Sequence, residues 1–339
     1  MKRIAIVGAG IGGLTLARAL HDIGVVTVFE KGRGVGGRMA TRREGDHAFD
    51  HGAQCFTIRT PQFQAWLAPL QEAGLVAEWS GRVVNLRTGR ITGPRYWRER
   101  HFVGVPGMNA IARHLATGLD VRTNVEIAPL VASAGPVHLS SSEGEALGAF
   151  DLVVSTTTPH QTQALFANVA AIPSLEHPRM KPCHALMVAL DRPWGEDWIA
   201  AKIMDGPLKW LSVDSSKPGR DRAVARIVAH THSEWSRQYA DTEARLLEPI
   251  LLEALAGAMP FPLPEPALVK AHRWRSALVS RTQRSGPVLD LPLGVAATGD
   301  WTASSRIEEV VLSALELARR IKQAFDVGST PALDKASSA

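Results

Sequence analysis

Cysteine is scarce in this chain. Only Cys55 and Cys183 occur in 339 residues, far apart and without metal-ligand spacing or a pairing framework, which argues against a disulfide scaffold and predicts a reducing, cytoplasmic setting. No metal site is expected. Long apolar runs are missing as well: nothing approaches the roughly 18 uninterrupted apolar residues of a membrane span, so no membrane partner is expected. Nor is there a strong excess of one charge. The 38 Lys and Arg against 33 Asp and Glu leave a net +5, an excess that a solvated surface explains, and nucleic acid is not expected as a partner. No internal repeat or low-complexity linker is evident. What the chain does have is bulk, with 45% hydrophobic residues, enough for one large or two interlocked domains.

The first residues, Met1-Lys2-Arg3 followed by IAIVGAGIGGLTLARAL, have the charged start and apolar core of a secretory signal. The glycines argue against that reading: a secretory core is helical, whereas Gly8, Gly10, Gly12 and Gly13 interrupt this one just after a short β-prone run. Lys2 to Val7 reads as a buried parallel strand, Ile11 to Ile23 as a helix and Val25 to Glu30 as a second strand, a βαβ unit. Between strand and helix stands Gly8-Ala9-Gly10-Ile11-Gly12-Gly13. In this G-x-G-x-x-G pattern the first glycine permits the turn, the second admits a pyrophosphate to the backbone, and the third lets helix and strand pack closely. The anion then rests on the helix N-terminus at Ile11. Glu30, about 20 residues on at the end of the second strand, is placed to accept from a ribose hydroxyl.

Glu30 is followed by KGRGVGGRMATRR, which could be a basic patch. Coming directly after a ribose-binding acid, Gly34, Gly36, Gly37 and Arg38 are instead expected to bring backbone and one guanidinium back to the same pyrophosphate, with Lys31 beside them. Lys31, Arg33, Arg42 and Arg43 read equally well as solvated charges. Val121 to Ile127 and Phe150 to Ser155 look like further strands of the nucleotide domain. LGVAATGDW, residues 293 to 301, is another, running into Gly299-Asp300. Ile307, Val310, Val311, Ala314, Leu315, Ala318 and Ile321 then share one helical face, with Ser305 and Glu308 expected as a capping box.

The expected fold class is α/β: a Rossmann-type dinucleotide-binding domain, discontinuous over 1–55, 95–160 and 287–325, with an inserted α+β substrate domain over 56–94 and 161–286 and a frayed tail at 326–339. The middle segments are rich in Trp and Pro and carry no second glycine fingerprint.

These residues together resemble the FAD-dependent amine oxidase superfamily, in which a Rossmann start, a following GGR (here Gly36-Gly37-Arg38) and a distal GD strand before a helix (Gly299-Asp300) bind FAD. Within it, FDHGAQCFTIR (Phe49 to Arg59), FVGVPGMNAIARHLA (Phe102 to Ala116), SSKPGR (Ser215 to Arg220), AHRWR (Ala271 to Arg275) and GDWTASSRIEEVVLSALELA (Gly299 to Ala318) are similar to bacterial renalase-like proteins. The resemblance implies a p-hydroxybenzoate-hydroxylase-like architecture with extended FAD. It places Glu30 on the adenosine ribose, Arg38 and the first glycine loop on the pyrophosphate, and the backbone of Val125 near adenine. Ala53 and Gln54 are set beside the flavin, Asp300 at the ribityl or pyrophosphate region, and the amide of Ile307 on the pyrimidine carbonyl, where a helix start favours negative charge. FAD is expected to be noncovalent, because no Cys or His lies in an attachment motif. Two departures stand out: Cys55 where the family usually has Tyr, and Glu309-Val310 where it often has Gly-Ala.

The activity implied is oxidation of the misreduced 2-dihydro and 6-dihydro isomers of NAD(P), with hydride passed to FAD and electrons then to O2, giving hydrogen peroxide. Such a transfer needs no side-chain base. Trp210, Trp274 and Trp301 are candidates for aromatic walls and His184 for a polar contact, each with ordinary core packing as the competing explanation. The rival readings are a flavin amine oxidase, a desaturase or porphyrinogen oxidase acting on a large apolar substrate, and a flavin-binding module without catalysis.

Overall fold

The computed structural model describes residues 1–131, 135–169, 179–280 and 285–327. Two sheets organise it. The first has six strands in the order Val288–Asp290, Val295–Ala297, Leu152–Ser155, Lys2–Val7, Gly24–Glu30 and Asp120–Thr123. All neighbours are parallel except the first pair, and the central strands are apolar along their length because both faces are covered. Helix Ile11–Leu20 packs on this sheet, and the long helix Ile307–Val327 packs on Ile11–Leu20. Ile4, Ile6, Leu14, Leu16, Val28, Val311, Ala314 and Ile321 lie in one buried cluster.

The second sheet has seven strands, in the order Leu268–Val279, Met180–Ala189, Arg226–Thr231, Leu208–Val213, Trp198–Ile203, Arg82–Arg87 and Arg90–Pro94. It is antiparallel apart from the parallel pair formed by Trp198–Ile203 and Arg82–Arg87. One face carries Leu186, Val188, Leu211, Ile227 and Ala229 against Leu251 and Leu255 of helix Glu248–Ala258. Because side chains alternate across a strand, the other face is presented to the nucleotide side of the molecule. Helix Pro61–Glu72 contributes Phe63, Leu67 and Leu70 to the cluster that contains the βαβ core.

Three expected elements differ. The first helix ends at Leu20 rather than Ile23, since the chain turns there and begins its strand at Gly24. The strand expected over Val121 to Ile127 stops at Thr123, because Asn124 takes a left-handed conformation (φ 59°) and Val125 donates instead to the Glu30 carbonyl. The expected Ser305/Glu308 capping box does not form. The helix starts at Ile307, the Ser305 hydroxyl accepts from the amide of Val279, and Glu308 is buried with its carboxylate accepting from the amides of Arg59 and Thr60 and from the Thr60 hydroxyl. Glu308 thereby anchors the start of the helix Pro61–Glu72 rather than its own.

That last helix runs to Val327, past the expected start of the tail; residues 328–339 lie outside the described residues. Among the described residues no helix is long and apolar enough to cross a membrane. None of their His, Cys, Asp and Glu side chains gather in threes to hold a metal ion.

Candidate active site

The glycine loop is built as a pyrophosphate cradle requires. Gly8 has φ +106°, and a Cβ on Gly13 would sit 2.0 Å from the Gly8 carbonyl oxygen, so helix and strand approach as only glycine permits. A Cβ on Gly10 would meet nothing within 4 Å. Gly10 is also the N-cap of helix Ile11–Leu20, and no side chain caps that helix. Open space therefore stands in front of uncapped amides at a positive helix end.

Glu30 closes the loop from the strand side. One carboxylate oxygen accepts from the amide of Ala9 (2.9 Å) and the other from that of Gly32 (2.7 Å), which leaves lone pairs on both oxygens for a ribose hydroxyl. Lys31 points away and pairs with Glu126 at the surface. Val125 donates its amide to the Glu30 carbonyl and packs beside Val7 and Phe29.

The second glycine loop docks on the first. The Gly36 amide donates to the Ala9 carbonyl, Gly10 and Gly36 form an isolated parallel bridge, and a Cβ on Gly37 would lie 3.6 Å from the Gly10 Cα. Arg38 follows directly, and its carbonyl accepts from the amide of Ala53, which brings in the loop that carries Gln54. The Arg38 guanidinium pairs with Asp300 at 2.5 Å. Asp300 is 1% exposed. Its Oδ2 takes both Arg38 and the Ser305 hydroxyl, while its Oδ1 has no partner. A buried carboxylate oxygen left unsatisfied is costly, and a donor from a bound group would satisfy it. Uncapped amides, an open glycine and an orphaned acceptor thus fit a flavin dinucleotide lying from Glu30 past Arg38 and Asp300 to the helix start at Ile307. Val310 packs over Gly12, with its Cγ1 3.0 Å from where a Cβ would stand, so the bulkier residue in the family's small-residue position fills space against the first helix.

Behind the Ala53–Gln54 loop is a buried ion cluster that sequence reasoning missed. Lys217 is fully buried and donates to Asp214 (2.6 Å), Gln54 Oε1 (3.2 Å) and Asp50 (3.3 Å). Asp50 also accepts from Arg220, from the Thr41 hydroxyl and from the Met108 amide. Burial works to raise the Asp50 carboxyl, but Lys217 and Arg220 outweigh it and hold the group below its ordinary value. Asp214 goes the other way, raised by burial that Lys217 only partly counters. Burial also lifts the Cys55 thiol to about 11, with Lys217 opposing, so Cys55 is no ready thiolate. The one sequence signal for this cluster was the SSKPGR segment itself.

The sheet face turned toward this loop is aromatic. Across it, Trp210 stands opposite His230, Ala185 opposite both His230 and His272, and Cys183 opposite Trp274. His51 covers them, its ring 4.7 Å from His272 and 4.8 Å from Trp274, and its carbonyl accepts from both Trp274 Nε1 and His230 Nε2. Burial pushes His51 down to about 3, aided by His272 and Arg42; burial likewise takes His230 and His272 to about 4. These rings are neutral at physiological pH. His51 Nδ1 is buried without a partner.

Of the four residues suggested for the substrate wall, Trp210 and Trp274 share this face and the other two do not. His184 alternates to the helix-covered side, where Nδ1 meets the Ser236 hydroxyl and the ring lies edge-on to Trp235. Trp301 is fully buried, donates to the Thr157 carbonyl and packs with Phe166 and Val295. Strand alternation removes the first from the wall and the nucleotide-domain core claims the second. His51, His230 and His272 are the rings that lie with Trp210 and Trp274 at that face.

A Rossmann-type sheet with this cradle, set beside a largely antiparallel sheet that closes over its second glycine loop, defines a flavin-dependent oxidoreductase. The comparisons agree. A NAD(P)-binding Rossmann-like domain matches residues 6–70, and the family of flavin containing amine oxidoreductases matches residues 75–322; the chain belongs to that family, and its cofactor is FAD. Coproporphyrinogen III oxidase of Mycobacterium tuberculosis (strain ATCC 25618 / H37Rv) is 39% identical over 73 residues, 20% of this chain and 16% of that protein. The same holds for the Mycobacterium leprae (strain TN) protein, so the chain spans about a sixth of the length of these relatives. Among solved structures, a candidate protoporphyrinogen oxidase from Exiguobacterium sp. 255-15 superposes with TM-score 0.76 over 95% of this chain and 99% of that one, at 14% identity. Putrescine oxidase bound to putrescine gives 0.72 with the same coverage and identity. These likenesses show the fold.

Proposed function

We propose that the protein oxidises 2-dihydro and 6-dihydro isomers of NAD(P), yielding NAD(P)+ and, from O2, hydrogen peroxide. The observation that carries this reading is the neutral aromatic face of Trp210, Trp274, His51, His230 and His272 beside the Ala53–Gln54 loop. An uncharged dihydropyridine ring suits such a surface, whereas a protonated amine would be desolvated there without a counter-charge. FAD, held noncovalently, supplies the hydride acceptor and the route of electrons to O2. The chain's residues position it: Glu30 at the ribose, the two glycine loops and Arg38 at the pyrophosphate, Asp300 and the Ile307 helix start at the ring end. The sheet face keeps water from the reacting carbon, and no proton has to be taken from the substrate. Lys217, with carboxylates and Gln54 on its ammonium, serves the loop rather than the reaction.

A second reading, a flavin amine oxidase, is favoured by Lys209. The strand is irregular between Leu208 and Trp210, and the Lys209 charge acts on both His230 and Cys183. Among the described residues no carboxylate pairs with it; such a lysine could hold a water beside the ring. Anaerobic stopped-flow reduction separates the readings. Either misreduced isomer is expected to bleach the flavin rapidly, and 4-dihydro NADH, putrescine, simple primary amines and coproporphyrinogen slowly. Because the carbon bearing the hydride must lie about 3 to 3.5 Å from its acceptor, moving it around the pyridine ring changes the rate steeply. Faster reduction by an amine or by the porphyrinogen would overturn the first reading.

A further inference from the structure

Residues 82–100 hold six arginines and a single acid, Glu99. Some of these charges are already engaged: Arg82 with Asp197, Arg100 with Glu78, and Glu99 with Arg59. Arg95 and Arg98 are exposed, and among the described residues neither pairs with a carboxylate. Both line a cavity of about 500 Å³ together with Trp79, Tyr96, Trp97 and His101. Trp97 is held in place by two neighbouring rings, His101 at 4.0 Å and Trp79 at 5.3 Å between centroids. Tyr96 beside it is 83% exposed, an unusual position for a large ring with no partner ring.

This cavity is not remote from the site. Trp79, its buried floor, donates to the Ser216 hydroxyl, and the Lys217 ammonium lies 5.5 Å from the Trp79 ring centroid. Lys217 in turn holds Gln54. Trp97 packs against the same apolar cluster as Ala53, Cys55 and Trp210. The cavity and the Trp210–Trp274 face thus border one apolar cluster.

Stacking rings beside unpaired guanidinium groups are what a purine nucleotide asks of a protein. An indole or phenol face takes a base in sequence-tolerant stacking, and guanidinium forks match phosphate oxygens. We propose that the cavity binds the adenosine diphosphate half of a pyridine dinucleotide substrate, with the base against Tyr96 and Trp97 and the phosphates on Arg95 and Arg98. The assignment of the substrate half rests on the reading given above; the nucleotide chemistry of the cavity does not.

The test uses FAD-loaded protein and ADP, followed by tryptophan fluorescence and calorimetry, with the visible flavin spectrum checked for retention of FAD. ADP should bind saturably. Arg95→Gln/Arg98→Gln and, separately, Trp97→Leu should weaken it at least about tenfold, the scale of one lost charge-assisted bond or stack. Arg113→Gln, which lines a different cavity, should leave ADP affinity unchanged and serves as control. No saturable ADP binding, or equal affinity in the parent and both cavity variants, overturns the proposal. Its failure is separable from that of the substrate reading. If misreduced isomers bleach the flavin but ADP does not bind, the cavity assignment falls alone. If ADP binds as described but no dihydronicotinamide isomer reduces the flavin, the nucleotide site stands and the claim that it serves this substrate falls.

Discussion

Replacing Lys217 by Met removes one buried ammonium while keeping most of the side chain's volume. In the native protein that ammonium is within 3.3 Å of Asp50, Gln54 and Asp214, with none of the three ion-cluster side chains Lys217, Asp50 and Asp214 more than 2% exposed. Its loss leaves two carboxylates facing Arg220 alone. Breaking a buried pair by removing one partner costs about 3–5 kcal/mol, a large part of the roughly 5–15 kcal/mol that holds a typical protein folded. For larger domains each kcal/mol moves the melting temperature by about 2–4 °C, so the variant should melt about 6–20 °C lower.

The deficit should depend on pH in a definite direction. Asp214 is already raised by burial, with Lys217 opposing, so without Lys217 it is raised further. A group whose folded pKa lies above its unfolded one contributes stability that is present at low pH and lost as pH rises through the folded value. The gap between Lys217→Met and parent should therefore be smaller at pH 5 than at pH 8. Melting of FAD-loaded protein, read both by circular dichroism and by the rise in free-flavin fluorescence, measures it. Lys217→Met/Asp214→Leu should recover much of the loss, since replacing a whole buried pair by apolar groups is close to neutral. A shift under about 2 °C in the single variant, or a gap that grows on acidification, refutes the account of the cluster.

Glu30→Gln keeps one carbonyl acceptor for the Ala9 or Gly32 amide but loses the charge-assisted bonds, and FAD affinity in a titration should fall by about 1–3 kcal/mol. Gly13→Ala drives a Cβ into the Gly8 carbonyl oxygen, 2.0 Å away; helix and strand must part, and the protein should be purified with little or no FAD and a lowered melting temperature, by differential scanning calorimetry. His51, depressed from 6.5 to about 3, stays neutral when folded while the unfolded chain takes up a proton below 6.5, so it contributes stability that is lost as pH falls through that window. His51→Asn should flatten the fall in unfolding free energy between pH 6 and pH 4 by about 1.4 kcal/mol per unit, measured by urea titration.

The glycine cradle was legible because its geometry is local. Gly8 to Gly13, Glu30 and Gly36 to Arg38 lie within one βαβ unit and the loop after it, where a fixed spacing sets the backbone conformation. Asp300 was reachable for the same reason, as a strand end before a helix. The aromatic face beside it is made by sheet register, which no local pattern encodes: His230 and His272 come to one face only because both lie in register with Ala185 on the strand between them. The same register turned His184 to the wrong side, one residue from a position that would have faced the loop. Lys217 escaped notice for a different reason. In the sequence it reads as one more surface lysine next to a proline and glycine, and only the fold brings Asp50, 167 positions away, under its ammonium. A buried charge of this kind implies partners whose identity depends on long-range contacts, so the residue most exposed to tertiary context is the one a linear reading assigns to solvent. Ser305 and Glu308 make the complementary point. Their spacing satisfied a local helix-capping rule, yet three donors at Arg59 and Thr60 outcompeted the single amide that the local motif offered, and the acid went to where it could satisfy more of them.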